Sequence, residues 1–380
     1  MEKHKICKKI PHFYHFQKFH NHKTLKIIIN INFKKIFSLK DLGDDIIKKM
    51  RTIALEETYA TPAFMENIEK DFKNQAKAEG KPHTPPTFLA QIAEKLINVG
   101  EGRIKEMDQA GVDVQVLSLF SPGVEQLEAS IAVKIATETN DYISDKIQQY
   151  PTRFAGFATL PTPVPETAAD ELERMVKDYD FKGGIINGHS KGRYLDDEFF
   201  WPILERAEAL KVPIYLHPTL PPQAVIEASY TGNFTSEVAT ILARNAWGWH
   251  IETAIHILRI ILSGAFDQYP KLQFIIGHMG EGLPFMLQRI DRSLPKEVIK
   301  LEKSVAEYLR ENINYTFSGL NYTQTFLDLF LEVGADRIMF STDYPFVPME
   351  ETRTFLDQLP VSTADKEKIA HGNAEKLLHL

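Results

Sequence analysis

Cysteine is almost missing from this 380-residue chain, with Cys7 the only one. An intrachain disulfide is therefore impossible, and a zinc site built on cysteines is excluded. A reducing compartment is compatible with this, and the expectation is a cytoplasmic protein. Long apolar runs are also lacking. No stretch of ~18 or more apolar residues is free of charge, which is what a membrane span needs. The segment Ile255–Phe266 is apolar but short, and it carries His256 and Arg259. Positive charge is scarce outside one end. The net charge is -7, yet residues 1–50 hold 12 Lys, no Arg and 4 acids, a net of +8, so the other 330 residues carry -15. Such an acidic body argues against nucleic-acid binding as the main function. No internal repeat or low-complexity stretch follows residue 50.

What is present is ordinary for a globular protein with a large core: 43% hydrophobic and 25% charged residues. The length allows two domains, or one barrel of ~250 residues enlarged by insertions. Residues 1–50 differ from the rest, being rich in Lys, Ile, Asn, Phe and His with no clean period. Targeting segments are usually rich in Arg and Ser, and there is no Arg here. A metal-binding tail would use His4, His12, His15, His20 and His22, but their spacing is irregular. The expectation is an N-terminal extension, disordered or upstream of a natural start at Met50, followed by a folded unit over 51–380.

From Thr52 onward, short β-branched and aromatic runs alternate with helical stretches, the pattern of βα units and a parallel sheet. Eight runs can be counted: Thr52–Leu55, Val112–Leu119, Phe154–Leu160, Gly183–Ile186, Val212–Leu216, Leu272–Gly277, Ile313–Phe317 and Arg337–Thr342. The predicted fold is an α/β (β/α)8 TIM barrel with insertions on its C-terminal face. Helical spacing places Ala169, Leu172 and Val176 on one face of 166–179, and Ile203, Ala207 and Leu210 on one face of 199–210. Two long connections are expected after the first and fifth runs, about 57–86 and 218–249. Both belong to the rim where a barrel builds its active site, and long loops there form pocket walls or lids.

Four runs end on a residue able to bind a metal or move a proton: Glu56, His217, His278 and Asp343. Each has a bland reading. Glu56 could be a loop glutamate, although a buried carboxylate needs a partner or a cation. His217 could be a satisfied strand-end histidine, and Asp343 could cap the next turn. Together they gain weight, because one fold brings all these strand ends to one rim. Glu56, His217 and Asp343 form an oxygen-rich set suited to one divalent ion, Mn or Zn. His278 is flanked by glycines that permit close backbone approach. Glu281 follows three residues later, near enough to fix the imidazole tautomer or to sit in the first turn of a helix. Arg289 lies on the following helix as a substrate-binding candidate or a surface charge. Asn187, ending the fourth run, is a candidate donor to a ring hydroxyl. Tyr59, Phe64, Trp247, Phe317 and Tyr344 could wall a flat pocket or simply be core.

The motifs Ile53-Ala54-Leu55-Glu56-Glu57, Tyr215-Leu216-His217-Pro218, Gly277-His278-Met279-Gly280-Glu281 and Ser341-Thr342-Asp343-Tyr344-Pro345-Phe346 resemble the amidohydrolase superfamily. The closest resemblance is to its aminocarboxymuconate-semialdehyde decarboxylase-like branch, especially the dihydroxybenzoate (gamma-resorcylate) decarboxylases. It runs from about Arg51 to Leu380 and leaves residues 1–50 outside. It implies a metal held by Glu56, His217 and Asp343, with His278 and Glu281 beside it. It also implies a homodimer or homotetramer in which Arg289 can reach a neighbouring subunit's site. One position departs from the pattern. Many members carry a second ligand, a His, two residues after the first-strand acid, and here Thr58 stands there.

The resemblance implies metal-dependent non-oxidative decarboxylation of a hydroxybenzoate-type acid, a carbon-carbon lyase of aromatic compound metabolism. Asp343 would be the proton donor and His278, oriented by Glu281, would supply or relay the proton. No organic cofactor is expected, and no motif for one is present. One rival keeps the fold but hydrolyses a lactone or amide, with Asp343 deprotonating a metal-bound water. A second rival is a non-catalytic relative whose metal site is weakened at Thr58.

Overall fold

The computed structural model describes residues 50–78 and 87–380. The expected extension over residues 1–50, its histidines and the one cysteine lie outside the described residues, Met50 excepted. Met50–Leu380 forms one compact unit. Among the described residues, no helix is long and apolar enough to cross a membrane.

The strands are β1 (Ile53–Tyr59), β2 (Val114–Leu119), β3 (Phe154–Gly156), β4 (Ala158–Thr159), β5 (Gly184–Asn187), β6 (Ile214–His217), β7 (Phe274–Ile276), β8 (Ile313–Thr316) and β9 (Ile338–Met339). All pair in parallel, in the orders β1-β2-β3 and β4-β5-β6-β7-β8-β9. β3 and β4 occupy one strand position, interrupted only at Phe157, whose N–H donates to Leu117 O at 2.9 Å while Ala158 N–H turns to Gly183 O at 2.8 Å. The other seam closes where Leu55 bridges Ser341 and its N–H donates to Phe340 O at 3.1 Å. The result is the expected (β/α)8 barrel, with helices between successive strands.

Strand periodicity explains the interior. Ile53, Leu55, Val114, Val116, Ala155, Phe157, Ile185, Tyr215, Ile275 and Met339 form a separate buried cluster. These alternate with outward residues such as Ala54, Leu117, Ile186, Leu216, Phe274 and Ile276, which pack under the helices. The helix Pro165–Tyr179 buries Ala168, Ala169, Leu172 and Met175, and Trp201–Leu210 buries Ile203, Leu204 and Ala207. Both begin with Pro in the first turn, where its missing N–H costs no hydrogen bond.

Two expectations need correction. β1 does not stop at Leu55 but runs on to Tyr59, so Glu56 lies within a strand. The reason is an extra residue: Ala54 pairs with Gln115 but Glu57 with Leu117, a bulge that turns the chain and lets pairing resume. The connections expected as long loops also carry helices. Pro62–Ala78 is helical after β1, and Gln223–Ser229 and Ser236–Ile241 are helical after β6.

Candidate active site

The next inward step along each strand, two residues above the apolar layer, leads to the C-terminal rim. From Ile185 it reaches Asn187, from Tyr215 it reaches His217, and from Ile275 it reaches Gly277. Asn187 and His217 are register partners across β5 and β6. The same backbone alternation that makes an apolar floor therefore presents polar groups to one centre.

Glu56 occupies that centre. It is fully buried, and Tyr215 Oη and Ser318 Oγ donate to its Oε2, with Thr316 Oγ1 at 3.5 Å. Its other oxygen, Oε1, has no hydrogen-bond partner of good geometry. His217 Nε2 stands 3.3 Å from Oε1 and His278 Nε2 stands 4.0 Å away. A methyl group on Gly277 would fall 2.6 Å from Glu56 Oε2, so only glycine leaves the carboxylate its space. Burial pushes the Glu56 carboxyl up, but the His278 and His217 imidazoles and the Ser318 hydroxyl outweigh it and hold it at about 2.

Asp343 carries the opposite shift. Burial, then the Glu56 charge, push its carboxyl well above the ordinary range, with His278 opposing them in part. Two acids that cannot both ionise in a low-dielectric space mark a place for a cation. His217 is arranged to join them. Its Nδ1–H donates to Pro218 O at 2.8 Å, which turns Nε2 towards Glu56. Glu56 Oε1, His217 Nε2 and the Asp343 carboxyl are donor types that suit a divalent ion.

His278 and Glu281 form a second group. Glu281 Oε1 accepts from His278 Nδ1–H at 2.8 Å, and Oε2 accepts from His250 Nδ1–H at 2.5 Å. His250 Nε2 lies 3.0 Å from Asn245 O. Burial alone would discharge His278, but the Glu281 and Glu56 charges prevail and raise it to about 10. Burial pushes Glu281 up, yet the two imidazoles bring it below its usual range. The possible ligand atoms of His250, His278 and Glu281 lie within 4.8 Å of one another, close enough for an ion. Their hydrogen bonds favour another role. Both Glu281 oxygens are engaged by imidazole N–H groups, so the trio is a charge holder rather than an open metal site.

Backbone strain is concentrated here. Glu56, His278, Met279, Glu281, Ser318 and Asp343 all have positive φ, between 45° and 62°. Asp180, Lys211, Lys300 and His379 also have positive φ, but each merely ends a helix. A non-glycine residue held in this region costs on the order of 1–3 kcal/mol. That several converge on one site is a mark of function.

The structure gathers Glu56, His217, His278, Glu281 and Asp343, and sets Asn187 beside His217. It leaves Arg289 exposed on the helix Leu283–Ser293, outside this cluster. Thr58 is buried, and its hydroxyl donates to Tyr344 O at 3.0 Å while its N–H donates to the same oxygen at 2.9 Å. It latches the strand end next to Asp343. Sequence reading missed Tyr215, Ser318 and His250. Tyr215 was detectable by period two from His217, but nothing local to His250 or Ser318 distinguishes either.

The residues 86–380 match the amidohydrolase family model. Over 343 residues the chain is 37% identical to the gamma-resorcylate decarboxylase of Polaromonas sp. strain JS666, covering 86% of this chain and 98% of that protein. It is similar to the crystal structure of dihydroxybenzoic acid decarboxylase from the same strain, with bound manganese and the inhibitor 2-nitroresorcinol (36% identity, TM-score 0.75, 87% of this chain and 97% of that one). It is also similar to 5-carboxyvanillate decarboxylase from Novosphingobium aromaticivorans, complexed with manganese and 4-hydroxy-3-methoxy-5-nitrobenzoic acid (34% identity, TM-score 0.78, 88% and 97%). With the rim chemistry on the strand ends where that fold places it, this chain belongs to the amidohydrolase family.

Proposed function

We propose that this chain is a metal-dependent, non-oxidative decarboxylase of a hydroxybenzoate-type aromatic acid, a carbon-carbon lyase. The observation that carries the reading is the gathering of a fully buried Glu56 with His217 and Asp343 on one rim, in a chain similar to decarboxylases over nearly their whole length. Glu56, His217 and Asp343 would hold one divalent ion, manganese or zinc. Bound there, it would supply Lewis acidity and a template for a carboxylate with an ortho hydroxyl.

The chain's own groups then divide the work. His278, kept cationic by Glu281, attracts and orients the substrate carboxylate. His250 braces Glu281 from its other side. Asp343 takes a proton from the substrate or from water and passes it to the ring carbon that bears the carboxylate. The bond to that carboxylate breaks, its electron pair restores the aromatic ring, and carbon dioxide leaves. Asp343, now a carboxylate, regains its proton through His278 or from water. Thr58 latches an intact strand end, which disfavours a decayed, non-catalytic relative.

The proposed homo-oligomer, a dimer or tetramer, has a suitable face. Phe285 and Leu331 are 79% and 81% exposed on two helices joined by a hydrogen bond from Gln288 to Glu332 at 3.1 Å. Arg289 lies on the same helix as Phe285, and a second copy seated there would bring Arg289 towards a neighbour.

The test is an activity screen. Manganese-loaded protein would be incubated with a panel of hydroxybenzoates and, separately, with lactones. Carbon dioxide release with the matching phenol is the expected result. Turnover of lactones alone would replace this reading with hydrolysis.

A further inference from the structure

The helix Gly248–Leu262 follows the long stretch after β6, and the two are held to the barrel very differently. The helix is firmly anchored. Glu252 accepts from Tyr194 Oη, His256 Nε2 accepts from the Leu195 N–H at 2.9 Å, and Arg259 pairs with Asp196 at 2.8 Å. All three bonds reach the loop after β5. In the stretch before it, the helices Gln223–Ser229 and Ser236–Ile241 are exposed or half-buried at every residue. The chain then leaves helical geometry at Arg244 (φ -95°, ψ -130°) and at Trp247 (φ -161°, ψ -53°) before the helix begins. A methyl group on Gly248 would fall 2.2 Å from Ala243 O, so glycine is what lets the chain fold back this tightly.

His250 stands at the join. Its Nδ1 lies 2.5 Å from Glu281 Oε2, and its Nε2 lies 3.0 Å from Asn245 O. Carboxylate and carbonyl oxygens only accept, so the ring makes both contacts as a double donor. One contact leads to the reacting centre, because Glu281 Oε1 holds His278 Nδ1 at 2.8 Å. The other leads to the exposed stretch, at the backbone of the turn Leu242–Ala246. The His250 ring also packs edge-on against His278, with centroids 4.8 Å apart. Glu281 is buried, so losing one of its two donors would leave a desolvated oxygen without restraint. Seating of Asn245 thus steadies His250, which steadies Glu281, which steadies His278. Coupling of this kind is reciprocal: whatever loosens Glu281 must also loosen the stretch.

We propose that His250 is a positioning residue that couples the seating of residues 218–247 to the orientation of His278, acting through Glu281. The consequence for turnover rests on the decarboxylase reading, whereas the mechanical coupling does not. The centre is then fully aligned only while this stretch is seated.

The experiment compares full-length, manganese-loaded wild type with His250→Phe, His250→Asn, His250→Gln and Glu281→Gln. Asparagine places its amide nitrogen where Nδ1 stands and can still donate to Glu281. Glutamine places its own where Nε2 stands and can still donate to Asn245 O. Two readouts are taken: kcat/KM on 2,6-dihydroxybenzoate or the panel acid turned over fastest, and amide hydrogen exchange across residues 236–247. His250→Phe should lower kcat/KM by about tenfold to a hundredfold, the worth of a buried hydrogen bond to a charged group, and should speed exchange by about fivefold or more. His250→Asn and His250→Gln should each regain part of both, since each keeps one of the two bonds. Glu281→Gln should also speed exchange, although the change is made at the far end of the chain of contacts. Full activity with fast exchange in His250→Asn, or unchanged exchange in Glu281→Gln, would overturn the proposal and leave His250 a local brace. If wild type decarboxylates no acid of the panel, the decarboxylase reading fails, and exchange in Glu281→Gln alone decides the coupling.

Discussion

The barrel floor and the barrel rim are made by the same strands, two residues apart, yet they obey different physics. Ile185, Tyr215 and Ile275 lie in the floor; Asn187, His217 and Gly277 lie one strand period higher. Below, apolar side chains fill space and stabilise the fold in proportion to the surface they bury. Above, charged groups are buried at a cost, strained backbone is tolerated, and a glycine is used to make room for a carboxylate. Floor changes should therefore alter stability, and rim changes should alter turnover.

Four measurements can break or sharpen that contrast. The largest effect is expected at Asp343. Replacing it as Asp343→Asn removes the acid, and turnover should fall by about 10³-fold or more, consistent with the loss of general-acid chemistry and of a charged ligand. The melting temperature should hold or rise, since a costly buried acid is relieved. Near-normal turnover in this variant would remove Asp343 from the proton-transfer role. Next, Glu281→Gln should cost about 10²-fold in turnover, because His278 and His250 lose their shared counter-charge. If turnover stayed within a factor of two or so, the imidazolium would have no part in the reaction.

Ile275→Ala tests the floor. Ile275 is fully buried, so the truncation should destabilise by about 2–5 kcal/mol in chemical denaturation. Its kcat, measured well below the melting temperature, should change far less than that of Asp343→Asn. A reversed pattern would mean that floor and rim are not separable. The smallest effect concerns a second buried histidine. His256 accepts from Leu195 N–H at 2.9 Å through Nε2, and its Nδ1 has no partner. Burial, aided by the His189 and Arg259 charges, depresses it to about 3. The folded state therefore binds this proton less readily than the unfolded state, where the pKa is near 6.5. The contribution to stability is full above pH 6.5 and is lost as pH falls from there towards 3, by about 1.4 kcal/mol per pH unit. Melting curves between pH 7 and pH 5 should show a slope in wild type that is reduced in His256→Gln. An identical slope in both would assign the acid sensitivity elsewhere.

His256 and His278 repeat the contrast in miniature. Both imidazoles are buried, and burial pushes both down. At His278 the Glu281 and Glu56 carboxylates reverse the outcome, whereas no carboxylate acts on His256. Burial is legible in a sequence, through an apolar neighbourhood such as Ile255-His256-Ile257. The sign of the shift is legible only in part, because Glu281 lies three residues along the chain but Glu56 comes from β1.

Much of the site could be read before folding. His217 and His278 follow apolar runs, and strand geometry alone delivers them to one rim. Glu56 was recognised for a partly wrong reason, since it sits at a bulge inside β1 and not beyond its end. A bulge depends on which residues oppose it on the neighbouring strand, and Gln115 and Leu117 are some sixty residues away. Separation in sequence likewise hides Ser318 and Tyr215 from Glu56, and His250 from Glu281. Thr58 was noticed as a missing ligand, and its actual bond to Tyr344 spans 286 residues.

The sequence by itself determined the eight-fold alternation of strands and helices, the apolar floor and the residue types at the strand ends. These follow from local periodicity, which each segment carries on its own. Only the tertiary structure decided which carboxyl is pushed down, which is pushed up, and which buried polar atoms are left without a protein partner. Those outcomes depend on desolvation and on charges brought together by barrel closure, and no single segment contains both partners.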